Sequence, residues 1–228
     1  MSDLVASWEA LLVYSLSRKR FVRRGLSLVV LAAFVLAACT SQPPIETRAS
    51  LPSPAPSPTA CELEPVVVPT PPAETPGYTE LDPATGLHVT GTAPEIDVRE
   101  WRLEVTGKVD NTLSLTYDEL RCMRKIEVRC TLVCPGFFED EATWAGVPLA
   151  DVLERAQVQS GATGVRLIGG DLYNTFVSLE EARAKDAFLA YEWEGEPLPI
   201  LHGFPVRAVF PELNGNRWAK WLIQIEVN

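Results

Sequence analysis

One cysteine stands where it could do chemistry. Ile126, Val128, Cys130 and Leu132 alternate with Glu127, Arg129 and Thr131, and the run ends at Cys134, followed at once by Pro135-Gly136. The alternation predicts a half-buried strand that delivers a thiol to a turn at its end. Thiolate is the metal-binding form of cysteine, and its softness suits a redox-active metal. Two clusters downstream add charge. His202-Gly203-Phe204-Pro205-Val206-Arg207 carries an imidazole and a guanidinium, whose planar fork grips a phosphate or a ring carbonyl. Arg217-Trp218-Ala219-Lys220 adds a second cation beside an indole. Taken singly, each has an ordinary reading: a thiol in a turn, a solvated arginine, a His-Gly turn. A zinc site from Cys130, Cys134, His88 and His202 is the competing metal reading, but a C-x3-C pair with two isolated histidines lacks zinc-ligand spacing.

Ten residues after Cys134 comes Trp144-Ala145-Gly146-Val147-Pro148-Leu149. With this motif and the two clusters in order, residues 87 to 227 resemble the molybdopterin-binding domain of the sulfite oxidase family. The resemblance implies a Mo-molybdopterin cofactor with Cys134 as the metal's protein ligand. It places cofactor contacts at His202, Arg207, Trp218, Ala219 and Lys220, a further contact at Gly170 or Asp171, and N-terminal contacts around His88 to Thr92. Tyr173 is the candidate catalytic hydroxyl, set against the commoner core tyrosine with its tip in water. The implied activity is an oxidoreductase in which an oxo group moves to or from a small substrate, with the cofactor doing the hard chemistry.

Departures from the family pattern narrow that expectation. Sulfite-oxidising relatives surround the ligand with basic residues, whereas here Cys134 is followed by Pro135, Gly136, Phe137, Phe138, Glu139, Asp140 and Glu141. Such a run repels an anion. The expected substrate is a neutral or weakly cationic molecule such as a sulfoxide or N-oxide, rather than sulfite. No haem-attachment or iron–sulfur spacing is present, so a separate electron-transfer protein, a cytochrome or a membrane quinone protein, is expected as partner. The reading from another class is a cofactor-free lipoprotein that binds a small ligand or a protein through a Phe137-Phe138 loop.

The elements that must position these residues are short. Trp101, Leu103 and Val105 predict a strand ending at Gly107; Val165 to Ile168, Ala187 to Trp193, Val206 to Phe210 and Trp221 to Val227 predict others. Thr116-x-x-Glu119 and Ser178-x-x-Glu181 read as capping boxes opening short helices, and Leu149, Val152, Leu153 and Ala156 form one apolar face behind Pro148. Strands outnumber helices, which predicts an α+β domain with a mixed sheet over residues 79–228.

The N-terminal third carries an address. Arg18, Lys19, Arg20, Arg23 and Arg24 precede an apolar run from Leu26 to Ala38 that ends Leu36-Ala37-Ala38-Cys39. Residues 1–38 read as a signal peptide ending in a lipobox, with Cys39 as the lipidated N-terminus, against an uncleaved membrane helix. Ser17-Arg18-Lys19-Arg20 approximates the twin-arginine pattern with lysine in one position, and ordinary export stays open beside it. Residues 39–78 are rich in proline and read as an extended tether. The expected location is therefore a lipid-anchored membrane protein facing outside the cytoplasm. The 228-residue chain has net charge −10; without the basic leader it is near −13, which argues against nucleic acid as a partner. Among the cysteines, Cys122 with Cys130 is a candidate disulfide, set against Cys130 as a small buried hydrophobe.

Overall fold

Among the described residues, ten strands and three short helices are arranged around two five-stranded sheets. The computed structural model describes residues 61–228, so the leader, Cys39 and the first part of the proline-rich stretch lie outside the described residues. The first sheet has the order β2-β1-β10-β5-β6, from Leu113–Leu115, Leu103–Gly107, Leu222–Val227, Gly164–Gly169 and Asn174–Ser178. β1 and β10 run parallel and the other neighbours antiparallel, so this sheet is mixed. The second joins β3 (Ile126–Cys134), β4 (Phe138–Pro148), β7 (Phe188–Trp193) and β8 (Glu196–Pro197) in that order, and β9 (Arg207–Val209) also pairs with β7.

Local sequence explains most of this. Thr116 and Ser178 accept from the backbone N–H of Glu119 and Glu181, whose carboxylates reach back to the capping residues, so both capping boxes form and open α1 (Tyr117–Arg121) and α3 (Leu179–Ala182). In α2 (Leu149–Ala156) the apolar face is fully buried, and the Leu149 N–H bonds the Ala187 carbonyl beside β7. Leu103, Val105, Trp144, Phe188, Leu222 and Ile225 fill the core.

Two features differ from the expectation. Phe138, expected in a loop with Phe137, already opens β4, where Asp140 and Ala142 point inward while Glu139 and Glu141 remain outside. The hairpin closes through Pro135, Gly136 and Phe137, with Gly136 at φ +80°, a conformation glycine adopts without strain. Cys122 pairs with Cys61, not with Cys130, which is a free and partly buried thiol. Residues 61–78 have no regular structure, yet this bridge and the Arg121 hydrogen bond to the Glu64 carbonyl pin the segment to α1.

The bridge closes 61 residues of sequence separation. Constraining a loop of that length in the unfolded chain stabilises by about 2 to 4 kcal/mol. Cys122→Ser should lower the denaturant midpoint by a corresponding amount; an unchanged midpoint would show that fixing the segment in the folded state offsets the whole gain.

Candidate functional site

The free thiol and two buried cations meet at one cavity of roughly 300 Å³. Cys134 arrives as the last residue of β3, directly across from Phe138 at the start of β4. Arg207 comes from β9, and His202 from the turn before it. Lys220 precedes β10. Gly203, at φ +118°, ends the His202 turn in a conformation that favours glycine, and a Cβ there would lie 2.9 Å from the Arg207 Cβ.

The deep end of the cavity is cationic without a counterion. Arg207 is 3% exposed, donates from Nη1 to the His202 carbonyl at 3.1 Å and leaves Nε without a partner. Its guanidinium lies 4.6 Å from the Trp144 ring and 5.5 Å from the Trp218 ring. Lys220 donates to the Leu201 carbonyl at 2.8 Å and to the Thr90 carbonyl, with its ammonium over Trp221. Neither cation forms a salt bridge among the described residues. Burial pushes Arg207 down to about 10, and burial followed by the nearby Arg207 charge pushes Lys220 down to about 7. A buried charge with no partner is costly, and an anionic group in the cavity removes that cost.

Both histidines line this cavity, each tied to a buried carboxylate. His88 donates from Nδ1 to Asp140 Oδ1 at 2.6 Å, and its backbone N–H bonds Oδ2 at 2.8 Å. Its ring stacks on Phe138 with centroids 4.4 Å apart. Deeper in, His202 Nε2 lies 3.0 Å from Asp82 Oδ2. Tyr78, Phe138 and Tyr173 give the mouth an aromatic lining.

Of the residues singled out from sequence, Cys134, Tyr173, His202, Arg207, Trp218 and Lys220 all border the cavity. Tyr173 is 43% exposed, and its hydroxyl donates to the Asn216 carbonyl at 2.6 Å. Trp218 presents its ring, since its indole N–H is shared between the carbonyls of Phe210 and Leu213. Gly170 and Ala219 do not border the cavity. The Gly170 N–H is bonded to the Trp221 carbonyl, the Ala219 N–H to the Arg217 carbonyl, and the Ala219 carbonyl pairs with Ala208. Asp171, the alternative to Gly170, does reach it, as do Thr90 and Gly91 from the expected N-terminal stretch.

Trp144, Asp140 and Asp82 were not singled out as site residues. Trp144 is fully buried with an unpartnered indole N–H. Its place in the Trp-x-Gly-Val-Pro-Leu motif was the available signal.

A family model described as the oxidoreductase molybdopterin binding domain matches residues 90–228. The chain is 35% identical over 142 residues to the uncharacterized oxidoreductase YuiH of Bacillus subtilis, covering 61% of this chain and 71% of that protein. It is 32% identical over 186 residues to the inducible NADH nitrate reductase 1 of Glycine max, covering 66% of this chain but only 21% of that enzyme. The fold matches the sulfane dehydrogenase SoxCD of Paracoccus pantotrophus with a TM-score of 0.58 at 20% identity, over 81% of this chain and 57% of that one. With its mixed-sheet fold, and with 139 of its residues matched by the family model, the chain belongs to the oxidoreductase molybdopterin-binding domain family of sulfite-oxidase type.

Proposed function

We propose that the protein is an extracytoplasmic, lipid-anchored oxidoreductase that holds Mo-molybdopterin through Cys134 and acts on a small neutral oxide, such as a sulfoxide or N-oxide. The observation that carries this reading is the pair of buried, uncompensated cations, Arg207 and Lys220, in the same cavity as a free thiol. The residues fit the cofactor: cations and a buried imidazole suit its phosphate and pterin, and a thiol suits its metal. When bound, that cofactor supplies two-electron redox chemistry coupled to oxygen transfer.

The chain's own residues do the rest. Arg207 lies against both the Trp144 and the Trp218 ring, which meet edge to face, and it donates to the His202 carbonyl, so its donor fork is oriented before any ligand arrives. Lys220 supplies a second point charge, and Cys134 supplies the soft ligand at the shallower end, across from Phe138. Tyr173 stands at the mouth, where its hydroxyl, whose hydrogen goes to the Asn216 carbonyl, keeps a lone pair for a substrate. The carboxylates bordering the cavity are Asp140 and Asp171, and its outer walls are aromatic, a setting that favours an uncharged substrate over sulfite. Cys39 lipidation anchors the domain, and a separate cytochrome or membrane quinone protein exchanges electrons with it.

The test is production in a host that makes molybdopterin, followed by molybdenum and pterin counts per chain and a screen of oxides against sulfite. Metal and pterin near one per chain, with oxide turnover well above sulfite turnover, is the expected result. Sulfite turnover matching that of any sulfoxide would overturn the substrate class.

Protein from a host without molybdopterin carries a second prediction. The unfolded chain holds the Lys220 proton up to its ordinary value near 10.5, whereas the folded chain releases it near 7. Between those values the unfolded state binds more protons, so stability rises with pH, on the order of a few kcal/mol in total. Melting should therefore shift upward from pH 7 to pH 9, and Lys220→Met should flatten the rise. An equal slope in both proteins would show that Lys220 stays charged in the fold.

A further inference from the structure

Asp82 carries no role so far, yet it is only 3% exposed and sits in the short hairpin closed by the Leu81–His88 bridge. Its Oδ1 accepts from the Ala84 N–H at 3.0 Å, and its Oδ2 accepts from the Thr85 hydroxyl at 3.0 Å. The same Oδ2 lies 3.0 Å from His202 Nε2, and Thr85 Oγ1 is also 3.0 Å from that nitrogen.

Counting protons settles the direction of these contacts. The Thr85 hydroxyl has one hydrogen, which goes to Asp82. One of its two lone pairs takes the Leu87 N–H at 3.2 Å, and the other is free to face His202. Nε2 therefore meets two acceptors and must carry the hydrogen. Burial pushes the His202 pKa down to about 4, and the Arg207 and Lys220 charges push the same way against the Asp82 hydrogen bond, so the ring is neutral at physiological pH. Nδ1 is then a bare lone pair, with no hydrogen-bond partner among the described residues, on a residue that lines the cavity.

A lone pair repels phosphate oxygen and accepts an N–H. We propose that Asp82, with Thr85, is a positioning residue that holds His202 as the Nε2–H tautomer, so that Nδ1 accepts an N–H of the pterin ring and leaves Arg207 and Lys220 to the cofactor's anionic oxygens. This rests on the pterin-cofactor reading above. It follows the general rule that the partner of one imidazole nitrogen decides what the other can bind.

Asp82→Asn reverses that setting with almost no change of shape. The Ala84 N–H holds the amide oxygen, which puts the amide NH2 where Oδ2 faced His202. Nε2 must then accept, the proton moves to Nδ1, and a donor faces the pterin N–H.

The experiment is 15N-histidine NMR with pterin and molybdenum counts, on wild type and Asp82→Asn from hosts with and without molybdopterin synthesis. The chain has two histidines, and His88, which donates from Nδ1, gives an internal reference for an Nδ1–H signal. Expected are an Nε2–H signal for His202 in wild type, an Nδ1 resonance that moves on loading, and in Asp82→Asn an Nδ1–H signal with pterin retention roughly 10-fold lower or worse. A wild-type Nδ1–H tautomer or imidazolium at neutral pH overturns the proposal. So does an Nδ1 resonance unmoved in pterin-loaded protein, or a reversed tautomer in Asp82→Asn with full pterin retention. Wild type without pterin or molybdenum from the competent host overturns the cofactor reading itself, and with it the ligand named here.

Discussion

Cys134→Ser is expected to fold like the wild type and to lose oxide turnover by roughly a thousandfold, equivalent to about 4 kcal/mol of barrier. Cys134 is a partly exposed free thiol at the end of β3, beside a turn, and forms no disulfide. Little packing depends on it, so a serine hydroxyl of similar size should leave the melting temperature within a few degrees. Serine, however, offers a hard oxygen that does not ionise in the useful pH range, in place of a soft thiolate. The thiolate-to-metal absorption band should vanish while most of the pterin stays, because the cofactor's anionic end is gripped elsewhere by Arg207 and Lys220. Cys130→Ser is the matched control. Cys130 lies on the same strand, and burial pushes its thiol up to about 11, which leaves it inert. Equal turnover in the two variants would remove Cys134 from the chemistry.

Parts of this site were legible because local patterns and the family motifs agreed. β3 was readable from strict alternation, and its end placed Cys134 at a turn. The parts that were not legible depend on contacts distant in sequence. Asp140 occupies an inward position of β4 because the backbone and ring of His88, 52 residues away, satisfy it. Without that partner nothing in a run of Glu139, Asp140 and Glu141 marks the middle residue as buried, since a buried carboxylate needs donors that alternation cannot reveal. The Cys61–Cys122 bridge was hidden for a similar reason. Cysteine spacing does not give connectivity, and proline-rich sequence around Cys61 reads as free tether. Asp82 lies 120 residues from His202 and follows no recognised motif. Gly170 and Ala219 were carried by resemblance alone, and bonds to Trp221, Arg217 and Ala208 use their backbone groups instead.

Arg207→Met should change stability and cofactor retention in opposite directions. In wild type the guanidinium is almost wholly buried, has one hydrogen bond, leaves Nε unpartnered and has no carboxylate in salt-bridge range among the described residues. The Trp144 and Trp218 faces return about 2 kcal/mol through cation–π attraction, less than a desolvated charge costs. Methionine keeps much of the apolar volume against those rings and removes the charge. Replacing buried ionic groups by well-packed apolar ones is neutral or stabilising by about 1 to 4 kcal/mol. Cofactor-free Arg207→Met should accordingly melt several degrees above cofactor-free wild type, at about 2 to 4 °C per kcal/mol for a domain of this size. From a molybdopterin-making host the order should invert: wild type gains stability from its bound ligand by mass action, while the variant, lacking the oriented donor fork, retains at least roughly 10-fold less pterin and gains little. Melting both proteins from both hosts gives four temperatures. A cofactor-free variant less stable than wild type would mean that Arg207 is compensated within the fold, and the cavity would then have no need of an anion.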